Sequence, residues 1–152
     1  MGTRSKTFIV EDIEQVEARN YSNCIAMYRQ YDGYPERHGL ELAEFLKPFT
    51  IVNGIRLDET RKIANGLDCL AAQMIAHFKD GAGNIYLSAN KYVDGLNYHY
   101  VIYEDEKTLK IQCWSTGYKS YDGSIEDKDT LLFEGTPKKF IKWININTGN
   151  ND

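Results

Sequence analysis

The sequence predicts an α+β fold, a mostly antiparallel sheet with helices packed on one face. Three patterns predict it. Leu67, Leu70, Ala71, Met74, Ile75 and Phe78 recur at the i, i+3, i+4 spacing of a buried helical stripe. Segments Tyr98–Glu104 and Leu109–Trp114 alternate on either side of a charged turn, as the arms of an antiparallel hairpin do. The element order is two strands, two helices, four strands and a last helix, with few of the strand–helix–strand units that build parallel sheets.

Along the chain, Thr7-Phe8-Ile9-Val10 is a β-prone run and Cys24 to Gln30 a second. The acidic, polar stretch between them, through Asn20, reads as a solvated hairpin loop. Tyr31 to Gly39 contains Gly33, Pro35 and Gly39, which is dense turn chemistry. Leu40, Leu42, Ala43, Phe45 and Leu46 form a short helix that Pro48 ends. Thr50-Ile51-Val52 leads into the turn dipeptide Asn53-Gly54. Ile55 to Gly66 is polar and mixed, with a charge cluster from Asp58 to Lys62. The principal helix spans Leu67 to Lys79. Gly81 supplies its stop, and the Lys79 charge suits the negative helix end. Asn84–Ser88 and Thr130–Glu134 read as strands, and Asp122-Gly123 as a turn. Pro137 opens a helix carrying Phe140, Ile141, Trp143 and Ile144. The tail from Asn147 to Asp152 is expected to fray.

The chain has 152 residues, which suits a single domain over 1–152 with a flexible tail at about 147–152. With 42% hydrophobic and 26% charged residues it reads as an ordinary globular chain. The net charge of −4 and pI of about 5.4 argue against a bulk nucleic-acid footprint. No apolar run reaches the ~20 residues of a membrane span. No basic-then-apolar start reads as a secretion signal. Cys24, Cys69 and Cys113 are odd in number and each has an apolar neighbour, so they read as buried thiols in a reducing cytoplasm. No C-x-x-C or H-x-x-x-H pair supports a metal site, and no cofactor is expected. The 11 Tyr against 6 Phe suit strands and binding surfaces alike.

No nucleophile elbow, P-loop, dinucleotide fingerprint or EF-hand loop is present. Gly81-Ala82-Gly83 follows a helix rather than opening one, so it lacks the phosphate-cradling geometry. The stretch from Arg29 to His38 carries two readings. In the functional one, Arg29 and Arg37 hold phosphate oxygens, Tyr28, Tyr31 and Tyr34 stack on a base, and Asp32 accepts from ribose hydroxyls. In the structural one, Asp32 bonds its own backbone in a tight turn and the tyrosines pack on the following helix. Successive residues of an extended strand point to opposite faces, so Arg29 and Tyr31 share one. Arg4 and Arg56 lie beside strands or turns and are further phosphate candidates. The ligand-binding set is therefore Arg4, Arg29, Tyr31, Asp32, Tyr34 and Arg56, with no catalytic and no metal residue. His77 and His99 read as structural or solvated.

Several runs carry a resemblance: the start Met1-Gly2-Thr3-Arg4-Ser5, Met27 through Pro35, His38-Gly39 with Glu41-Leu42-Ala43 and Phe45-Leu46, Val52 through Ile55, and Cys69 through Gln73. Up to about Ser88 the chain resembles a family of small phage and prophage proteins. It is similar to the first-described family of anti-defence sponges against the bacterial Thoeris system. That resemblance implies a protein of the host bacterial cytoplasm that binds a cyclic ADP-ribose isomer and sequesters the signal without cleaving it. It also implies a homo-oligomer built on dimers, with pockets between subunits and no DNA or membrane partner. The residue chemistry is compatible. Such a ligand needs donors for a pyrophosphate, an aromatic face for adenine and polar groups for two riboses.

Two rivals come from other classes. One is a nucleotide-hydrolysing enzyme using Asp32, Glu36 and His38 as an acid–base set. The other is an acidic phage inhibitor that docks on a host protein by an aromatic surface.

Overall fold

The computed structural model describes residues 2–56, 58–88, 95–118, 122–124 and 126–147. Strands β1 (Ser5–Ile9) and β2 (Ile25–Arg29) are separated by helix α1 (Ile13–Ala18). A wide π-helical turn, Pro35–Gly39, runs into helix α2 (Leu40–Leu46). Strands β3 (Thr50–Val52) and β4 (Ile63–Asn65) precede helix α3 (Gly66–Phe78). Strands β5 (Ile85–Ser88), β6 (Tyr98–Asp105), β7 (Thr108–Ser115) and β8 (Thr130–Gly135) lead to helix α4 (Pro137–Asn147).

Six strands form one sheet in the order β5-β2-β1-β6-β7-β8. Its neighbours are antiparallel except β1 and β6, which run parallel. The fold is thus α+β with a mostly antiparallel sheet. The β6–β7 hairpin turns at Glu106 and Lys107, with φ of 50° and 67°, the left-handed pair that a two-residue turn requires. β3 and β4 form a separate parallel pair. β4 lies in the stretch read as polar and mixed. Three residues are too few to show a period, and the strand exists only through its pairing with β3.

α2, α3 and α4 cover one face of the sheet. Met27, Tyr100, Ile102 and Ile111 pack there against Leu42, Leu46, Leu70, Met74, Phe140 and Ile144. The opposite face carries a smaller core of Phe8, Val10, Ala26, Val101, Tyr103 and Trp114, covered by Val16 and Ile13 of α1. The helices are therefore divided between the two faces, against the expectation of one. The expected solvated loop between β1 and β2 is likewise a helix. Asp12 caps α1 by accepting from the Glu14 N–H at 3.0 Å. Ile13 and Val16, three residues apart, give it an apolar side among its acidic residues.

β1 is the hinge of this two-sided arrangement, because all five of its residues are buried. Ser5, Thr7 and Ile9 face the large core and Lys6 and Phe8 the small one, by strand alternation. Burial pushes the Lys6 ammonium below its ordinary value. Cys113 is fully buried and its thiol is pushed up to about 12, so it carries no thiolate near neutral pH. Cys24 and Cys69 are only half-buried, and all three cysteines are free. Lys79 lies just beyond α3 and donates from Nζ to the carbonyls of Gly83 and Ile85 at 3.1 and 2.7 Å, tying the helix end to β5. Among the described residues no helix is long and apolar enough to cross a membrane. The frayed tail expected beyond Asn147 lies outside the described residues.

Candidate functional site

The stretch singled out in the sequence begins where β2 ends. Arg29 is the last residue of that strand, so alternation does not run on to Tyr31. Its side chain turns into the large core and is 6% exposed. The guanidinium donates from Nε to the Tyr31 carbonyl at 2.9 Å and from one terminal nitrogen to Glu41 Oε2 at 2.9 Å. The same nitrogen reaches His38 Nδ1 at 2.9 Å. Glu41 also accepts from Arg37 Nε at 2.7 Å, so one carboxylate on α2 holds two arginines of the preceding segment. Arg29 is thus an internal tie between β2, the turn and α2. It is buried rather than exposed as the sequence suggested for a phosphate ligand, and its Nε and one terminal nitrogen are engaged inside the fold.

His38 has no exposed surface. An arginine can only donate, so His38 Nδ1 is the acceptor and the ring proton sits on Nε2. Nε2 then donates to Thr7 Oγ1 at 3.2 Å. Phe78 and Tyr100 meet the ring edge-on at centroid distances of 5.3 and 5.4 Å. Burial, reinforced by the Arg29 charge, lowers the His38 pKa to about 3. Glu36 is exposed and Asp32 partly so, whereas His38 is sealed in the core. These three do not meet at an open acid–base site.

The turn itself is built by close approach. Asp32 takes φ of 61°, a left-handed conformation that Asp tolerates better than most residues. A Cβ on Gly33 would lie 2.7 Å from both Cβ and Oγ of Ser5, so only glycine fits without displacement. The Gly33 N–H donates to the Thr3 carbonyl at 2.9 Å, and its carbonyl accepts from the buried Tyr100 hydroxyl at 2.8 Å. Gly2 passes equally close to Tyr31, where a Cβ would come within 2.3 Å of the tyrosine Cβ. The Gly2-Thr3-Arg4 start and the Tyr31-Asp32-Gly33 turn are thereby laid side by side at one end of the sheet.

Tyr31, Asp32 and Tyr34 share the turn and the Arg4 backbone runs beside it, whereas the Arg4 guanidinium lies against Gly95, 3.2 Å from where a Cβ on that residue would stand. Tyr31 is 48% exposed, and its N–H is fixed on Asn84 Oδ1 at 3.2 Å. Arg4, Asp32 and Tyr34 are half-buried. The Arg4 carbonyl accepts from the N–H groups of Asn97 and Tyr98 at 2.9 and 3.2 Å, which pins its backbone between the turn and β6. Arg56 does not join them. It stands exposed on the β3–β4 connection, 3.5 Å from Asp58 Oδ1.

A second concavity lies under α1, on the small-core face, and was not foreseen. It has a volume of about 580 Å³. The Arg19 guanidinium lies 4.0 Å over the Trp114 ring and pairs with Asp129. Glu134 Oε2 accepts from the Tyr103 hydroxyl at 2.5 Å and from Gln112 Nε2 at 2.6 Å. Gln112 Oε1 in turn accepts from Trp114 Nε1 at 3.0 Å. One signal was present in the sequence. In the predicted hairpin, His99, Tyr103, Gln112 and Trp114 are the polar and aromatic members of the alternation, while Tyr100, Ile102, Ile111 and Cys113 form the other set.

Of the remaining histidines, His77 is exposed and packs on Phe45 at 4.7 Å. His99 is buried, stacks on Trp114 at 5.7 Å and bonds Thr116 Oγ1 at 2.8 Å. Burial lowers its pKa to about 4, with Asp129 opposing the shift. Among the described residues no group of three or more His, Cys, Asp or Glu is placed to hold a metal ion. No family model, curated protein or solved structure matches the chain.

Proposed function

We propose that this protein is a phage anti-defence sponge that binds a cyclic ADP-ribose-type nucleotide in the host bacterial cytoplasm and withholds it, uncleaved, from the Thoeris effector. The reading rests on the resemblance in the first half of the chain. The observation that supports it is that the backbone carrying Arg4 and the turn carrying Tyr31, Asp32 and Tyr34 are laid side by side by the close approaches at Gly2 and Gly33. A cation, two phenol rings and a carboxylate on two adjoining segments have the chemistry that a pyrophosphate, a base and ribose hydroxyls require. The pinned backbone lowers the ordering cost of binding. Arg29 acts in this reading as the support of the loop, and Arg56 has no part in it.

Assembly as a homo-oligomer built on dimers belongs to the same proposal. β5 and β8 are the sheet edges, and Leu87 on β5 is 73% exposed. An apolar side chain on a short edge strand favours pairing with a second copy.

The test is incubation with a cyclic ADP-ribose isomer, removal of free ligand, heat denaturation and analysis of what is released. Intact ligand in stoichiometric amount supports sequestration. Altered ligand assigns an enzyme, and no retained ligand favours a protein target.

A further inference from the structure

α4 spends one side on the core. Phe140 and Ile144 are fully buried against the sheet and α2. Its other side, with Lys47 just beyond α2, walls a groove of about 350 Å³ lined also by Lys138, Ile141, Lys142, Asn145 and Ile146. Ile141 is half-buried, and Ile146 is 59% exposed, a large apolar side chain left in water. Three ammonium groups rim the groove, and among the described residues no carboxylate lines it. In a chain with 22 acidic and 18 basic residues this is a local reversal of the overall charge sign. None of the three lysines forms an ion pair among the described residues.

We propose that the groove between α2 and α4 docks an acidic amphipathic helix of a partner protein. The charge on the rim selects carboxylates on the incoming segment, and the apolar floor takes its leucine-type side chains. That combination is the helix-in-groove mode of recognition. A nucleic acid would use the lysines and leave Ile141 and Ile146 unmatched, since its outer surface is phosphate and sugar. A bilayer would need a convex apolar face, whereas the apolar face of α4 is already buried in the core. Five of the six lining residues stand on the one helix α4, anchored in the core by Phe140 and Ile144, which limits the ordering cost on docking. This site is separate from the tyrosine turn and does not depend on the sponge reading.

The test uses a fluorescein-labelled synthetic peptide with leucines at i, i+3, i+4 and i+7 and glutamates elsewhere, followed by fluorescence anisotropy. Saturable binding that weakens with added salt is expected. Lys138→Glu with Lys142→Glu should weaken it at least about tenfold, and so should Ile146→Ser. All three positions are exposed, so thermal melts of the variants should match the wild type. The same peptide with glutamine for glutamate should bind at least about tenfold more weakly. The proposal is overturned if the peptide does not bind, if the glutamine peptide binds equally well, or if the variants leave affinity unchanged. It is also overturned if the variants instead abolish binding to phosphatidylglycerol vesicles, or abolish self-association in sedimentation. Those results would assign the groove to a membrane or to a second copy.

Discussion

The Arg29 guanidinium and the His38 imidazole are held 2.9 Å apart inside the core, both nitrogens of the ring are engaged, and the imidazole is neutral. A neutral buried histidine makes stability depend on pH. The folded-state pKa of about 3 lies below the ordinary 6.5. Above pH 6.5 neither state binds the proton and stability is complete. As pH falls from 6.5 to about 3 only the unfolded chain takes it up, so stability declines, on the order of 1 kcal/mol per pH unit. His99, lowered to about 4, adds a second contribution in the upper part of that window. Urea midpoints measured from pH 7 to pH 4 should fall, and His38→Gln should flatten the dependence. A flat wild-type profile would contradict the buried neutral ring.

Arg29→Ala should unsettle the fold before it affects any ligand. It removes donors to Glu41, His38 and the Tyr31 carbonyl together. A hydrogen bond to a charged group contributes about 1.5–3 kcal/mol, and the partial exposure of Glu41 keeps its share toward the lower end. Chemical denaturation should show a lowered midpoint, and Arg29→Lys should restore little, because a lysine lacks the forked donors. Unchanged stability would return Arg29 to the ligand-binding role.

Gly33→Ala tests the contact that aligns the N-terminal segment with the turn. The new methyl would lie 2.7 Å from the Ser5 side chain. Overpacking of this kind costs about 1–3 kcal/mol. Ser5→Gly should recover part of the loss, and a double-mutant cycle on thermal unfolding measures the coupling. Additive losses would mean that the two residues do not touch.

Tyr31→Ala and Arg4→Ala separate binding from folding. Tyr31 is half-exposed, so truncation should leave the melting temperature close to wild type. Calorimetric titration with a cyclic ADP-ribose isomer should show about 10- to 150-fold weaker binding for Arg4→Ala if it meets phosphate. Equal affinity in both variants would move the pocket away from this turn.

The helical spacing of α3 and the alternation of β6 and β7 determine those elements locally, because each is a pattern repeated over many residues, and Pro137 marks the head of α4. α2 was legible for the same reason, and Pro48 marks its limit. α1 and β4 were not, since a short element with many charges has too few apolar residues to show a period. The close packing of Gly33 on Ser5 could not be read either. Its chemical content looked equally like a ligand loop and a tight turn, and the difference lies in a residue nearly thirty positions away. The direction in which Arg29 points is of the same kind. Sequence determines that a guanidinium sits at the end of β2. Only the arrival of His38 and Glu41 from the next segment, against a sheet face already sealed by Tyr100, makes the interior more favourable for it than water. A buried cation is stable where its donors find partners, and partners from separate elements exist only once the chain has folded.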